Sequence, residues 1–235
     1  MSINGLFPMD KWNFKSHSIL NDLPPEDAEI MTAHMSDHQY SKGETIFREG
    51  SFPSGIFFIR KGKVKKYKAD REGNEQIIYV ANTGELIGYH ALLAEERYPD
   101  SASALEDSLI AFIPREDFIE VLSTSKVLSH RLLKLLSHEF TVFANSLTHF
   151  AQRSVRERLA TQLIVMREKY KENYQPGMAV EINLSREDLA SMVGTARENI
   201  VRILKEFKED GSIETRGRKI IVTDIHKLLK ISGQL

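Results

Sequence analysis

The chain has 235 residues, of which 41% are hydrophobic and 28% charged, and its 32 lysines and arginines nearly balance 33 aspartates and glutamates. This length allows one large domain or two modest ones, each able to bury its own core. The absence of cysteine excludes disulfide scaffolds, thiolate zinc sites, cysteine nucleophiles and cysteine-ligated iron–sulfur clusters.

The charge is unevenly distributed along the chain. Residues 151–235 contain 16 Lys and Arg against 12 Asp and Glu, a net charge of +4, which leaves −5 for residues 1–150. A basic carboxyl-terminal part joined to an acidic amino-terminal part fits a nucleic-acid module attached to a control module.

The longest apolar runs have five residues, whereas about 20 are needed to span a bilayer. With no secretion signal at the start, we expect a cytoplasmic protein without a membrane segment.

The amino-terminal half reads as a β-domain. In residues 38–113, glycines separate short β-rich pieces, which are residues 45–47, 56–59, 64–68, 76–80 and 108–113. The intervals leave no room for crossover helices, so the strands are predicted to be antiparallel and to form a barrel or roll. The lysines of residues 61–68 are interpreted as the solvent-facing side of a hairpin. His34 and His38, four apart on a predicted helix, have no third ligand, so no zinc site is expected.

Residues 125–150 contain neither Gly nor Pro, and their apolar residues recur with helical spacing. One row advances by alternating steps of three and four, as in a coiled-coil seam, and consists of Leu133, Leu136, Phe140, Phe143, Leu147 and Phe150. A second row on another side of the helix consists of Leu128, Leu132, Leu135 and Val142. We expect the second row to cover the chain's own barrel and the first to form a homodimer interface. The alternative is a helix buried within one monomer.

A polar join at residues 149–153 leads into another predicted helix, from Ser154 to about Lys171. A Pro-Gly turn is predicted within residues 172–177.

Residues 184–207 have the pattern of two short helices joined by a tight turn. Ser185 followed by Asp188 resembles a capping box, and Gly194 can adopt the positive φ of the turn. The positions where the two helices would pack are Leu189, Ala190, Val193, Ile200 and Ile203. All these positions, followed by an arginine-rich helix, predict a helix-turn-helix that binds DNA.

The second of these helices has two faces. Its apolar face consists of Ile200, Ile203, Leu204 and Phe207, and its free face of Arg197, Glu198, Val201 and Arg202. Arginine bonds to O6 and N7 of guanine and glutamate accepts from N4 of cytosine, so the free face can read G·C pairs. The alternative is a solvated surface with local ion pairs. Residues 211–223 read as a basic hairpin, and the predicted contacts to the DNA backbone are Ser185, Thr195, Arg216, Arg218 and Lys219.

From about Asp37 to Ile221 the chain resembles the family of the catabolite activator protein and the fumarate and nitrate reduction regulator (Crp/Fnr). The most specific segment is Ser185–Arg202, where Thr-Ala-Arg-Glu-Asn-Ile-Val-Arg is similar to the family's recognition helix. The resemblance implies a dimeric bacterial transcription factor of α+β class, with an antiparallel β-roll like a cyclic-nucleotide-binding domain, a long coiled-coil dimer helix and a winged helix-turn-helix. It also matches Arg197, Glu198 and Arg202 to the base-reading residues of the activator branch.

We accordingly divide the chain into three parts. Residues 1–124 form an effector-sensing β-roll with an amino-terminal helical segment, residues 125–150 the dimerisation helix, and residues 151–235 the winged helix-turn-helix.

The expected partners are double-stranded DNA with an inverted-repeat operator, a second copy of the chain, and RNA polymerase. No nucleophile elbow, phosphate-binding glycine loop or metal triad occurs in the sequence, so no catalytic residue is predicted. A haem or small-molecule sensor that signals mainly through protein contacts stays open as the alternative.

The resemblance also bears on the effector. In the cyclic-nucleotide-binding branch, one cassette supplies a Glu for the ribose and an Arg for the phosphate, and hydroxyls of the long helix contact the adenine. The corresponding residues 84–102 keep two glycines, but Tyr89 stands at the Glu position and Asp100 at the Arg position, with Phe143 and Ala144 at the hydroxyl positions. Because an Asp would repel a buried phosphate, cyclic AMP is disfavoured. The iron–sulfur mode of the other branch is excluded by the lack of cysteine.

Three options remain, namely another small molecule in the roll, a haem-bound gas, or no effector. The candidate axial ligands of a haem are His90, His138 and His149. The candidate effector pocket consists of Gly84, Glu85, Gly88, Tyr89, His90, Asp100, Ser101 and Phe143.

Overall fold

The computed structural model describes residues 5–14, 19–171 and 179–233, so the turn predicted within residues 172–177 lies outside the described residues. The chain divides into two compact units, one of residues 14–140 and the other of residues 1–13 together with 141–235. The domain boundaries expected after residues 124 and 150 stay predictions, since compact units and functional domains need not coincide. Among the described residues, no helix is both long and apolar enough to cross a bilayer.

The first unit is an antiparallel β-roll followed by helices. Its elements are α1 (Pro25–Thr32), β1 (Ser36–Tyr40), β2 (Thr45–Phe47), β3 (Gly55–Lys61), β4 (Lys63–Ala69), β5 (Glu75–Asn82), β6 (Leu86–Ile87), α2 (Tyr89–Ala94), β7 (Ser101–Ala104), β8 (Ser108–Pro114), α3 (Arg115–Thr124) and the first part of α4 (Lys126–Gln152). The strands form two four-stranded sheets, in the orders β1-β8-β3-β6 and β2-β7-β4-β5. Every pairing is antiparallel, which confirms the predicted roll.

Three strands escape detection in the sequence for identifiable reasons. β1 exposes four of its five residues and so has no apolar alternation. β6 is only two residues long, and β7 consists of serines and alanines. Such strands are held by their neighbours in the sheet and not by their own side-chain pattern.

The second apolar row of α4 packs as predicted for its first part. Leu128, Leu132 and Leu135 belong to one buried cluster with Ile56 of β3 and Phe118 of α3. The helix start is capped by Ser125, whose hydroxyl accepts a hydrogen bond from the Leu128 N–H at 3.2 Å. The long helix is therefore part of the core of the roll and not an appendage to it.

The lysines of β4 do not all face solvent, contrary to our interpretation of residues 61–68. Lys63 and Lys66 are buried, and their ammonium groups lie 3.3 Å from a carboxylate oxygen of Glu106 and 3.0 Å from one of Asp100. Lys63 and Lys66 are three residues apart and so lie on opposite faces of β4, yet both are buried. The buried charges are stabilised by carboxylates from distant parts of the chain.

The second unit contains the last part of α4, α5 (Val155–Tyr170), β9 (Glu181–Asn183), α6 (Arg186–Val193), α7 (Arg197–Glu209), β10 (Ile213–Arg216), β11 (Lys219–Val222) and α8 (Ile225–Ile231). The three strands form an antiparallel sheet in the order β10-β11-β9. Helix α5 begins with a capping box, in which Ser154 accepts from the Glu157 N–H and the Glu157 carboxylate accepts from the Ser154 N–H at 2.8 Å. The hydrogen bonds that the Glu157 carboxylate accepts from the Ser154 N–H and from the Ser154 hydroxyl lower the pKa of Glu157.

One arginine fastens the junction of α4 and α5 to the end of α6. The Arg158 guanidinium donates to the carbonyl oxygens of Phe150 and Arg153, both at 3.0 Å, and to that of Val193 at 2.9 Å. Each of these carbonyls is at or near a helix end, where no intrahelical donor is available. Arg158 therefore ties the helix that precedes the motif to the motif itself.

Residues 7–13, which we call the amino-terminal strap, pack in the second unit although they precede the roll in sequence. The strap includes a short 3-10 helix, Met9–Lys11. The buried Trp12 meets the ring of His149 edge-on, with centroids 4.9 Å apart. Asn13 accepts a hydrogen bond at 2.5 Å from the buried Lys169 ammonium. The strap thus contacts both the last turn of α4 and the last turn of α5.

Candidate nucleic-acid interface and effector site

Helices α6 and α7 form the predicted helix-turn-helix. The Ser185 hydroxyl accepts from the Asp188 N–H at 2.9 Å and so caps α6. Gly194 ends α6 with φ of +65°, a left-handed conformation that glycine adopts without a Cβ clash. The residues expected at the helix contact are all buried, namely Leu189, Ala190, Val193, Ile200 and Ile203.

The free face of α7 is exposed as predicted. All four residues proposed to read bases are exposed, namely Arg197, Glu198, Val201 and Arg202. On the other face, Ile200, Ile203, Leu204 and Phe207 are buried. The buried face of α7 fixes the helix in place, and its exposed face presents two guanidinium groups and a carboxylate. The contact of these groups with DNA stays a prediction.

Both arginines that are predicted to read bases have a carboxylate partner that was not predicted from the sequence. Arg197 Nε lies 2.6 Å from Glu187 Oε1, and Arg202 Nη1 lies 2.7 Å from Glu206 Oε1. All four side chains are exposed to solvent, so each ion pair contributes little to stability. The spacing of Arg202 and Glu206, four residues apart on one helix, was the available signal.

The wing lies beside the start of α6. Strands β10 and β11 form a hairpin closed by Gly217 and Arg218, and its three predicted phosphate-binding residues are exposed, namely Arg216, Arg218 and Lys219. Arg186, in the first turn of α6, donates to the carbonyl oxygens of Gly217 and Arg218 at 3.5 and 3.2 Å. The wing tip is therefore fixed to the helix-turn-helix. Of the other predicted backbone contacts, Ser185 and Thr195 are half-buried.

The first apolar row of α4 is largely open to solvent in the single chain. Phe140 and Leu147 are 77% and 74% exposed, and Leu133, Phe143 and Phe150 are exposed as well. Leu136 departs from this pattern, because it packs partly against the core of the roll. A row of large apolar side chains of this length is typical of a surface that another protein covers.

The effector cassette begins at a tight turn of the roll. Gly88 has φ of +87°, and a Cβ there would lie 3.3 Å from the ring of Phe57, so the position favours glycine. Gly84 also has a positive φ. The buried Glu85 accepts hydrogen bonds from the Tyr79 hydroxyl at 2.7 Å and from the Asn82 N–H at 3.1 Å. Burial, and then Glu85, raise the pKa of Tyr79.

The buried Glu139 of α4 brings two cassette residues together. The Tyr89 hydroxyl donates to one oxygen of its carboxylate, and His90 Nε2 lies 2.6 Å from the other. Burial and Glu139 together raise the pKa of Tyr89 well above its usual value. Glu139 was not predicted from the sequence, although it continues the buried row of Leu128, Leu132 and Leu135, where an acidic residue needs a partner.

The remaining candidates of the effector pocket are not all gathered at Glu139. Asp100 is paired with Lys66 inside the roll. The Ser101 hydroxyl accepts from the Glu49 N–H at 3.0 Å. Phe143 belongs to the second compact unit, so its membership of the pocket stays a prediction.

The histidines considered as metal or haem ligands have protein partners. His90 is bonded to Glu139, and His149 Nε2 lies 3.0 Å from the Thr161 hydroxyl. Burial, followed by the charges of Arg153 and Arg158, lowers the pKa of His149 and favours its neutral form. His138 is half-buried on α4.

His34 and His38 do not share a helix, contrary to our prediction. His34 follows α1 and its Nδ1 lies 3.1 Å from Asp117, whereas His38 lies in β1. The predicted helix stops at Thr32 because the exposed strand β1 then pairs with β8. Within the described ranges, no three acidic or histidine side chains are grouped so that they could hold a metal ion.

Comparison with known families agrees with this architecture. Residues 37–125 match the cyclic nucleotide-binding domain, and residues 157–231 match the Crp-like helix-turn-helix domain. The two matches coincide with the β-roll and with the unit that holds α6 and α7.

Individual relatives span most of the chain. Electron transport regulator A of Shewanella oneidensis is 29% identical over 192 residues, which are 82% of this chain and 76% of the relative. The fumarate and nitrate reduction regulatory protein of Escherichia coli is 25% identical over the same shares of the two chains. The structure of FixK2 from Bradyrhizobium japonicum has the same fold, with a TM-score of 0.72 at 19% identity, and covers 84% of this chain and 96% of that chain. The chain therefore belongs to the Crp/Fnr family, whose members are DNA-binding transcription regulators.

Proposed function

We propose that the protein is a homodimeric transcription regulator that binds a specific inverted-repeat operator and is controlled by an effector in its β-roll. The observation that carries this proposal is that α7 packs its apolar face inside the helix-turn-helix and leaves its polar face exposed. Arg197, Glu198 and Arg202 would read base edges, with Val201 as an apolar contact. The basic wing and the residues Ser185 and Thr195 would hold phosphates and fix the register. RNA polymerase is the further partner expected for such a regulator.

The exposed row of α4 supports the dimer. The first apolar row of α4 has five exposed side chains in each chain, and a second copy offers the same row to match it. Phenylalanine and leucine at alternating steps of three and four are suited to knobs-into-holes packing. Two parallel copies of α4 would therefore bury the first row of each copy, and the two recognition helices would be related by the two-fold axis of the dimer.

The proposed dimer predicts the shape of the operator. Selection from random duplexes with the purified protein should recover an inverted repeat whose half-sites are about 10 to 10.5 bp apart, because both recognition helices must reach the same face of DNA. The matched control is a variant with a disrupted α4 row, which should select a single half-site. Recovery of one asymmetric site by the unaltered protein would contradict the dimer.

The buried contacts that the residues of the cassette make within the protein support an effector other than cyclic AMP. Asp100 already neutralises Lys66, so a phosphate at this position would meet a carboxylate and would have to compete for the ammonium group. Tyr89 and His90 are both bonded to Glu139 of α4. A ligand that moves α2 would therefore change contacts on the long helix directly. Such a ligand shifts the protein between two arrangements only through its different affinities for them.

Two substitutions should separate the recognition of operator bases from the control of binding by the effector. Tyr89→Ala removes a contact with Glu139 and should change the dissociation constants of all operator variants by one common factor, since only the active fraction changes. Arg202→Ala should weaken binding by about 1 to 3 kcal/mol at the cognate G·C pair and relax the preference there. Binding to a panel of single-base operator variants measures both effects. A changed base preference in Tyr89→Ala would argue against this division.

A further inference from the structure

The Glu206 carboxylate joins a reading arginine of α7 to an arginine of α5. Its Oε1 lies 2.7 Å from Arg202 Nη1, and its Oε2 lies 3.6 Å from Arg156 Nε. The two oxygens of one carboxylate are thus directed to two different guanidinium groups. Arg156 belongs to the first turn of α5, two residues after the capping residue Ser154.

Arg156 is itself held from three sides. Besides Glu206, its Nη2 lies 3.7 Å from Asp210 Oδ2, and its guanidinium lies over the ring of Phe207 at 5.1 Å from the centroid. Phe207 is fully buried, so the ring is a fixed support. A guanidinium held by a ring face and two carboxylates has few alternative positions.

We propose that Glu206 and Arg156 are positioning residues that determine how selectively the protein reads the base pair facing Arg202. This inference rests on the proposed function, because it assumes that Arg202 reads a base. An exposed arginine without a partner can turn to any nearby phosphate, and such contacts carry no sequence information. Glu206 holds the Arg202 guanidinium away from the phosphates, and Arg156 keeps the Glu206 carboxylate in the position where it can pair with Arg202. The ion pair itself is weak, so its role lies in orientation and not in stability.

The proposal predicts a specific combination of effects. Glu206→Gln removes a negative charge near the DNA and should strengthen binding to non-cognate DNA, yet reduce discrimination at the Arg202 base pair by about two- to fivefold, the size expected for an exposed ion pair. Arg156→Gln removes a positive charge and should weaken non-cognate binding, yet reduce discrimination at the same pair. Two variants with opposite charge changes would therefore share one defect. The double variant should be no worse than either alone, because both act on one network.

Glu209→Gln is the matched control. Glu209 lies on the same helix and pairs with Lys205 at 3.8 Å, so its substitution makes the same charge change without touching Arg202. It should strengthen non-cognate binding and leave discrimination at every base pair unchanged. In Glu206→Gln alone, a released Arg202 that reaches a phosphate should also steepen the salt dependence of cognate binding by about one unit.

The experiment measures competition binding of the full-length variants to the selected operator, its single-base variants and random duplexes over a range of salt concentrations. Loss of discrimination at the Arg202 pair in both Glu206→Gln and Arg156→Gln, but not in Glu209→Gln, supports the proposal. Unchanged discrimination in Glu206→Gln, or an equal loss in Glu209→Gln, overturns it. A lack of sequence preference in the unaltered protein would instead refute the proposed function, and Arg202→Ala identifies the base pair on which the comparison rests.

Discussion

Replacing Phe140 and Leu147 by aspartate is expected to convert the proposed homodimer into monomers. These are the two most exposed side chains of the α4 row, so the substitutions should leave the fold of each chain intact. Each large apolar side chain contributes about 1.5 to 3 kcal/mol when it is fully buried, and a symmetric interface buries every residue twice. Four lost side chains per dimer correspond to a loss of affinity of at least about 10⁴-fold. Sedimentation measures this directly.

The control for this variant is a substitution at Thr148, the residue that follows Leu147. Thr148 is exposed and its hydroxyl donates to the carbonyl of Ala144 in the same helix, so Thr148→Asp adds a charge to α4 outside the apolar row. It should stay dimeric. A dimer that persists in the Phe140→Asp, Leu147→Asp variant would show that the association uses another surface.

The second large effect is expected inside the roll, where Lys66→Ala should lower the free energy of unfolding by about 3 to 5 kcal/mol. The side chains of Lys66 and Asp100 are only 7% and 10% exposed. Truncation of the lysine leaves a buried carboxylate without its counter-charge. For a chain of this size the melting temperature should fall by roughly 6 to 20 °C, as measured by circular dichroism.

Lys68→Ala provides a control on the same strand. Lys68 pairs with Glu49 at 3.5 Å, but these side chains are 55% and 43% exposed, and such surface pairs contribute at most about 1 kcal/mol. Replacing both members of the buried pair, as in Lys66→Met with Asp100→Leu, should restore most of the stability, since no charge is then left buried. Equal melting temperatures for Lys66→Ala and Lys68→Ala would show that solvent reaches the inner pair.

The features that could be predicted from the sequence are those with a local signature. The helix-turn-helix has a capping serine, a glycine at its turn and apolar spacing within 24 residues, and each of these acts on its neighbours in the chain. The two rows of α4 follow from helical periodicity alone. The burial of one row and the exposure of the other then follow from the packing of a single helix against the roll.

The features that were missed depend on partners far away in the chain. Glu139 looks like an ordinary polar residue of a helix until the fold brings Tyr89 and His90 to it. Two lysines of β4, Lys63 and Lys66, look solvent-facing in the sequence, but in the fold they are buried beside Glu106 and Asp100. In both cases the missing information is which distant side chain neutralises a buried charge, and no local periodicity contains it.

The amino-terminal strap gives this protein a built-in optical reporter. Trp12 is its single tryptophan, and it is almost fully buried against His149. Intrinsic indole emission therefore comes from one known packing site, and undocking of the strap would shift that emission to longer wavelength as water reaches the ring. Because the strap contacts the ends of α4 and α5, the fluorescence of the unlabelled protein can follow the helix junction in real time while DNA or candidate small molecules are added.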